Sequence, residues 1–462
     1  MPTQTKLSNF QKLNYAMGDF SSNIMFAAIN FYWLYFMINV GGLSPFYASA
    51  VFFLTKLSDG ITDYLMGLIC DYTMARRGSR RMYMLVASLP LGLFFPLLWL
   101  VPNTSMQFYK FLYYFILYSV FDTIWTVVFI PYNSLLANMT DDYDERTSLN
   151  GWRVSIANMG MILGSALFPL FADGTQSFFY QIFGNEKDAY FFSSLIFGII
   201  AGVLMFVCAF KVQERPCVAQ APRVAPWKTL KEFFSMKEFR STLLHYTSAM
   251  TGIDVVMGIY IFYLSDVVGI TNGVLLTLFL SIPLITATIA TPFWVKLSAQ
   301  YSKHRMYVVS AVGIVIALLS TLFIPKNGYL PLSAFCVMSG FFMAALQILP
   351  FAAIPDVVEV DEYKHGVRRE GSYFGVVQFS YNTASGIAMA LVSLLLGIFG
   401  YIENVSGMEV IVQPASALLA VRGILAFMPS ALFLLSACFS RQINMNREKF
   451  NDMKKETASR RE

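Results

Sequence analysis

Charged residues are scarce in this chain: only 13% of its 462 residues are Asp, Glu, Lys or Arg, whereas a soluble domain carries about a quarter. That scarcity, with 56% of residues apolar, excludes a large soluble protein, whose helices would need polar faces at helical period. The chain reads as an all-α membrane protein. Histidine occurs three times. The cysteines, Cys70, Cys208, Cys217, Cys336 and Cys438, are scattered, with no metal spacing and no disulfide framework, and read as ordinary buried thiols. No Gly-rich phosphate loop points to an ATP-driven pump, and no nucleophile–base constellation points to an enzyme. The start, MPTQTKLSNFQKLN, has no short apolar core followed by a small-residue cleavage site, so no removable signal peptide is expected.

What is abundant is apolar length. A membrane helix takes roughly 20 apolar residues to cross about 30 Å of hydrocarbon. Twelve such spans are predicted, at approximately 14–39, 45–70, 82–101, 109–138, 150–172, 190–211, 240–265, 272–298, 305–324, 329–354, 372–400 and 416–439. Basic residues alternate between their ends. Arg76, Arg77, Arg80 and Arg81 follow the second span. Arg215, Arg223, Lys228 and Lys231 follow the sixth, and Lys303 and Arg305 the eighth. The tail holds Arg441, Arg447, Lys449, Lys454, Lys455, Arg460 and Arg461. The opposite loops NVGGLS and PKNGY carry none and one. The positive-inside rule then places both termini in the cytoplasm of a cell membrane, the inner membrane in a bacterium. The net charge of +5 needs no nucleic-acid partner to explain it.

The chain also echoes itself. RRMYMLVASLPLGLFFPLLWLVPN follows the Arg-rich loop and HRMYVVSAVGIVIALLSTLFIPKN follows Lys303, with Arg-Met-Tyr at 81–83 and 305–307. This predicts two six-helix halves, 1–211 and 239–440, with a polar linker at 212–238 and a basic tail at 441–462. Parallel halves around a midplane substrate site are the plan of major facilitator transporters.

Against this background KLSDGITDYLMG (56–67) is anomalous. Asp59 and Asp63 are four apart and share a helix face, with Lys56 on the same side. Charges at membrane depth are costly and pair with one another or with a bound ion. One lysine balances one carboxylate, so the second needs a proton or a cation, and Thr62 and Thr126 offer hydroxyls. The same offset in the second half meets Pro283 and Ala287, so the acid pair belongs to the first half alone. Asp122 and Asp254 are further acids inside apolar spans, costly unless partnered. His245 stands alone and reads as polar lining. The aromatic runs FYWLYF (31–36) and YFILYS (114–119) read as packing or interface anchors.

KLSDGITDYLMGLICDYTMARRGSRR, with GDFSSN around Asp19, TVVFIPYNSL in the fourth span and PDVVEVDEYKHGVRREGS after the tenth, resembles the glycoside–pentoside–hexuronide:cation symporters, the melibiose-permease family. LSPFYAS and TASG are similar to the sodium-dependent lysophosphatidylcholine symporters on the same plan. The resemblance implies a cation site of Asp59, Asp63 and Thr126, with Thr62 where sodium-coupled members often carry asparagine. It assigns Asp19 and Arg153 to sugar hydroxyls. Phe129 stands where the family has a second sugar-binding acid, Asn133 where it has a stacking tryptophan, and Asn382 where it has a lysine. Asp122 is grouped with these substrate positions. Asp71, with Arg77, Arg80 and Arg81, resembles the superfamily's cytoplasmic latch. DDYDERTSLNGWR and VDEYKHGVRRE, with Asp356 and Asp361, are expected gate loops where charge pairs form. The implied function is cation-coupled symport of a sugar or glycoside by alternating access, driven by sodium or protons, with no cofactor and a functional monomer. Alternatives are a lysophospholipid symporter, a proton-only transporter and a non-transporting receptor.

Overall fold

The computed structural model describes residues 7–140, 142–172, 177–212, 214, 226–270, 273–366, 369–402, 413–443, 453 and 456. Arg215, Arg223, Arg447, Lys449, Lys454, Lys455, Arg460 and Arg461, along with Cys217, Asp141 and Arg368, lie outside the described residues.

A capping box starts the first helix: Ser8 accepts from the Gln11 amide and the Gln11 side chain accepts from the Ser8 amide. This helix, α1 (Asn9–Ala28), continues through π-helical segments Ile29–Trp33 and Phe36–Val40. Then come α2 (Pro45–Arg77), α3 (Arg81–Phe94) with a 3-10 extension at Phe95–Trp99, α4 (Gln107–Met139), α5 (Tyr143–Ala172), the short α6 (Phe178–Phe183) and α7 (Glu186–Lys211). A second short helix, α8 (Pro226–Ser235), precedes α9 (Lys237–Phe262), α10 (Gly273–Tyr301), α11 (Lys303–Ser320), α12 (Tyr329–His365), α13 (Glu370–Ile398) and α14 (Ala415–Gln442). Each of the twelve predicted spans falls on one long helix, and no strand occurs among the described residues. Several helices outrun their apolar stretch because polar ends continue the ladder. α2 stops only at Gly78, whose φ of 69° closes the helix with a hydrogen bond to the Met74 carbonyl.

Among the described residues, ten helices are long and apolar enough to cross a membrane by hydropathy alone. The two long helices outside that set are α1, which carries Lys12, Asp19, Ser21 and Ser22, and α2, which carries Lys56, Asp59, Asp63 and Asp71. Their polar side chains mark them as interior helices.

Packing divides the chain into two units, Met1–Thr229 with Val358–Phe379 and Asp452–Glu462, and Leu230–Val357 with Ser380–Asn451. In the first, α1 packs on α5 and α7, α3 on α4 and α7, and α2 on α4. Small residues let these backbones approach, as expected where lipid removes the hydrophobic drive between helices. Gly92 of α3 meets the Gly198 carbonyl of α7, and a Cβ on Gly164 of α5 would sit 2.8 Å from the Ile24 carbonyl oxygen of α1. Gly92→Val is therefore expected to destabilise the purified protein by about 1–3 kcal/mol, read as a lowered midpoint of thermal unfolding in detergent. An unchanged midpoint would show that this seam tolerates separation.

In the second unit α14 packs on α9 and α11, and α10 on α11. Trp294 of α10 donates to the Phe341 carbonyl of α12 at 2.7 Å. His245 is buried and ties helices together: its Nδ1 lies 2.8 Å from Ser436 Oγ, which also accepts from Tyr307 Oη at 2.6 Å. The lining role predicted for His245 gives way to this knot between α9, α11 and α14. The expectation of buried thiols is corrected at Cys438, which is exposed.

Candidate functional site

The acid stripe of α2 faces α4. Asp63 is 3% exposed and accepts a hydrogen bond from Thr126 Oγ1 at 3.1 Å. One turn earlier, Asp59 lies within hydrogen-bonding reach of Asp122 and of Thr126. Lys56 Nζ stands 4.0 Å from Asp59 Oδ2, at the limit of an ion pair, with its side chain 52% exposed. Asp59, Asp63 and Asp122 thus lie along the α2–α4 contact, with Lys56 beside Asp59. Asp122, grouped by the sequence reading with the substrate positions, has Asp59 as its neighbour. Thr62 turns its proton back on its own helix, donating to the Asp59 carbonyl at 2.9 Å, with the Ser58 carbonyl at 3.5 Å.

A second polar cluster joins α1, α4 and α5. Arg153 grips Asp19 with two donors, Nε to Oδ2 at 2.5 Å and Nη2 to Oδ1 at 3.1 Å. It also donates from Nη2 to Asn133 Oδ1 at 2.8 Å. Tyr132 Oη donates to Asp19 Oδ2 at 2.7 Å, and the Arg153 guanidinium lies 4.8 Å from the Tyr132 ring centroid. Such a charge-assisted, bidentate pair holds its members rigidly. Beside it Phe129 stacks on Trp125 at 4.2 Å between centroids and meets Tyr132 edge-on at 5.6 Å. The structure therefore brings Asp19, Arg153 and Asn133 together, with Phe129 adjoining through Tyr132. Asn382 is buried on α13 in the other unit.

Of the expected latch residues, Asp71 and Arg80 meet. Asp71 caps the start of α13, accepting from the Gly371 and Ser372 amides at 2.7 Å each and from Ser372 Oγ at 2.5 Å. A carboxylate there satisfies orphan donors and faces the positive end of the helix dipole. Arg80 pairs with Glu370 and lies 3.7 Å from Asp71. Asp361 is held by Arg369 at 2.6 Å and His365 at 2.8 Å. Asp356 pairs with Lys303 at 2.9 Å in the second unit. Arg77 and Arg81 are employed otherwise: Arg77 touches Met82, and Arg81 donates to the Val212 carbonyl at 2.9 Å past the end of α7. Sequence reasoning did not single out Glu370 or the Arg146–Glu359 pair at 2.6 Å. All three lie within or beside the charge-rich loops, but only the fold shows which acid meets which base. Tyr132 was missed too, and its place beside Asn133 was its only signal.

The chain resembles known proteins over nearly its whole length. YagG of Escherichia coli (strain K12), described as a glycoside/cation symporter, is 27% identical over 93% of this chain and 90% of its own. The sodium-dependent lysophosphatidylcholine symporter 1-B of Danio rerio is 24% identical over 99% of this chain and 93% of its own. A crystal structure of the E. coli fucose:proton symporter FucP superposes with a TM-score of 0.63 at 12% identity, over 94% of this chain and 97% of that one, which shows the major facilitator fold. The relatives are transporters rather than enzymes and work as symporters. The chain is accordingly a multi-pass membrane protein with the fold of these transporters. The family model for MFS/sugar transport proteins matches residues 14–447, and the chain belongs to that family.

Proposed function

We propose that this protein is a secondary symporter that carries a sugar or glycoside with sodium or a proton by alternating access. The observation that carries the reading is the meeting of Asp59, Asp63 and Thr126 between α2 and α4, with a half-exposed lysine beside Asp59. A carboxylate pair at membrane depth with a hydroxyl is the donor set a hard cation takes. Asp19, Arg153 and Asn133 then offer hydrogen-bonding groups to substrate hydroxyls, and Trp125 and Phe129 an apolar face for a sugar ring. The glycoside named for YagG supports the substrate class. A lysolipid remains the second reading, favoured by the aromatic Phe129 and by the Danio rerio relative. Both termini lie in the cytoplasm in this proposal, the two six-helix halves are those drawn from the sequence, and the monomer suffices. The contacts of Asp71 and Arg80 with the start of α13 act as the cytoplasmic latch.

Ion-dependent uptake into proteoliposomes, tested against glycosides, uronides and lysolipids, decides the substrate. Accumulation of lysolipids alone would overturn the sugar reading.

Coupling with either ion follows from Thr62. Its hydroxyl proton serves the Asp59 carbonyl, a back-bond that competes with ligand duty, whereas an asparagine carbonyl would be a stronger acceptor for sodium. Transport driven by a proton gradient alone is expected, with modest stimulation by sodium. Thr62→Asn should shift preference toward sodium at fixed pH. Should wild type be inert without sodium, or the variant respond to sodium as wild type does, this account of Thr62 fails.

A further inference from the structure

One face of α2 is left uncovered. The helix packs on α4, and its Gly67 meets the Gly371 carbonyl at the start of α13. Away from those contacts Ile61, Leu65, Ile69 and Tyr72 are exposed, at intervals of four, four and three residues, the spacing of a single helical face. From Ile61 to Tyr72 the helix rises about 16 Å, close to half of the roughly 30 Å hydrocarbon core. This apolar face is as long as one leaflet is deep.

It runs into a groove of about 480 Å³ where α2 meets α3, lined by Leu68, Ile69, Tyr72, Arg76 and Arg77 of α2 and by Tyr83 of α3. Both arginines are exposed. The Arg76 guanidinium lies 4.3 Å from the Tyr72 ring centroid, and Arg77 Nη1 lies 3.4 Å from the Met82 sulfur. Neither pairs with a carboxylate among the described residues, whereas Arg80 is held by Glu370 and Arg81 by the Val212 carbonyl. Signalling of topology does not explain the pair. The offset that aligns the two Arg-Met-Tyr triplets sets Gln300 and Tyr301 against Arg76 and Arg77, so the second half does without them.

We propose that this face of α2 is a binding site for an anionic phospholipid, with the headgroup phosphate between Arg76 and Arg77 and an acyl chain along Tyr72, Ile69, Leu65 and Ile61. Guanidiniums present paired N–H donors that match phosphate oxygens, and basic clusters at the ends of membrane helices attract anionic headgroups. Tyr72, one turn inside Arg76, supplies the amphipathic ring that the membrane–water interface favours. The groove shares no residue with the Asp59–Asp63 or Asp19–Arg153 cluster, so the site stands apart from the coupling-ion and sugar readings.

The test is lipid binding by the purified full-length chain, followed by native mass spectrometry in detergent, with phosphatidylglycerol and phosphatidylcholine of identical chains. Wild type should bind one phosphatidylglycerol at least about tenfold more tightly than phosphatidylcholine. Arg76→Gln combined with Arg77→Gln should erase that preference and weaken phosphatidylglycerol about thirtyfold, the worth of two basic residues near an anionic surface. Lys296→Gln combined with Arg305→Gln removes the same charge around the α10–α11 turn and should leave the affinity within about twofold. Equal binding of the two lipids by wild type overturns the proposal, as does an equal loss in both double variants. Displacement of the lipid by glycerol 3-phosphate at matching concentration also overturns it, since the groove would then hold a free anion. A phosphatidylglycerol with a diazirine in its acyl chain should label wild type within residues 61–72. Labelling confined to other helices sinks the proposal even if a variant fails to fold.

Discussion

Asp63→Asn should abolish concentrative uptake and weaken sodium binding at least about a hundredfold, while the protein still inserts and folds. Asp63 is almost wholly buried and touches α4 through Thr126. An asparagine there keeps a carbonyl for the Thr126 hydroxyl, so the helix contact survives, but the charge is gone. Two unit charges about 4 Å apart attract by about 4 kcal/mol at the effective dielectric of a protein. Every 1.4 kcal/mol is a factor of about ten in affinity, so a hundredfold loss allows for what the amide oxygen recovers. Asp59→Asn is expected to act alike and to release Lys56 as well, since Asp59 is that lysine's partner. The measurements are sodium titration of the purified variants and substrate accumulation in proteoliposomes. Accumulation against a gradient by both variants would remove the carboxylates from the coupling site.

The long helices were legible because membrane spans are set by length and apolarity, two properties a sequence carries openly. Even the exceptions, α1 and α2, were legible as anomalies, since charge inside an apolar run has to be explained. The shared face of Asp59 and Asp63 follows from helical spacing alone. Thr126 was legible as a nearby hydroxyl and was placed in the site by resemblance, whereas the Asp59–Asp122 contact came from neither, because the register of α4 against α2 is a tertiary fact. Thr62 shows a smaller gap: spacing allowed a bond to the Ser58 carbonyl, and the shorter contact is to Asp59. Residues 358–379 belong to the second half in sequence yet pack in the first unit. The tie is Asp71 capping α13, and nothing local in the sequence could reveal that pairing.

The Asp19–Arg153 pair should separate substrate from cation. Arg153→Lys keeps the charge and replaces a planar fork that grips both oxygens of Asp19 with a single point donor. One charge-assisted hydrogen bond is worth about 1.5–3 kcal/mol, so binding of whichever glycoside the uptake panel identifies should fall roughly tenfold or more. Arg153→Ala is the harsher change, because removing one partner of a buried pair costs about 3–5 kcal/mol. It risks the fold as well as the site, so the lysine variant is the one to interpret. Asp19→Ala should match or exceed the lysine variant, since Tyr132 and Arg153 both lose their shared acceptor. Sodium binding should change less than about threefold in the lysine variant, because Asp59, Asp63 and Thr126 hydrogen-bond elsewhere. Parallel titrations of glycoside and sodium on the same preparation read both quantities. Loss of sodium alone would move Asp19 and Arg153 out of the substrate site, and equal loss of both would reduce the pair to a brace between α1 and α5.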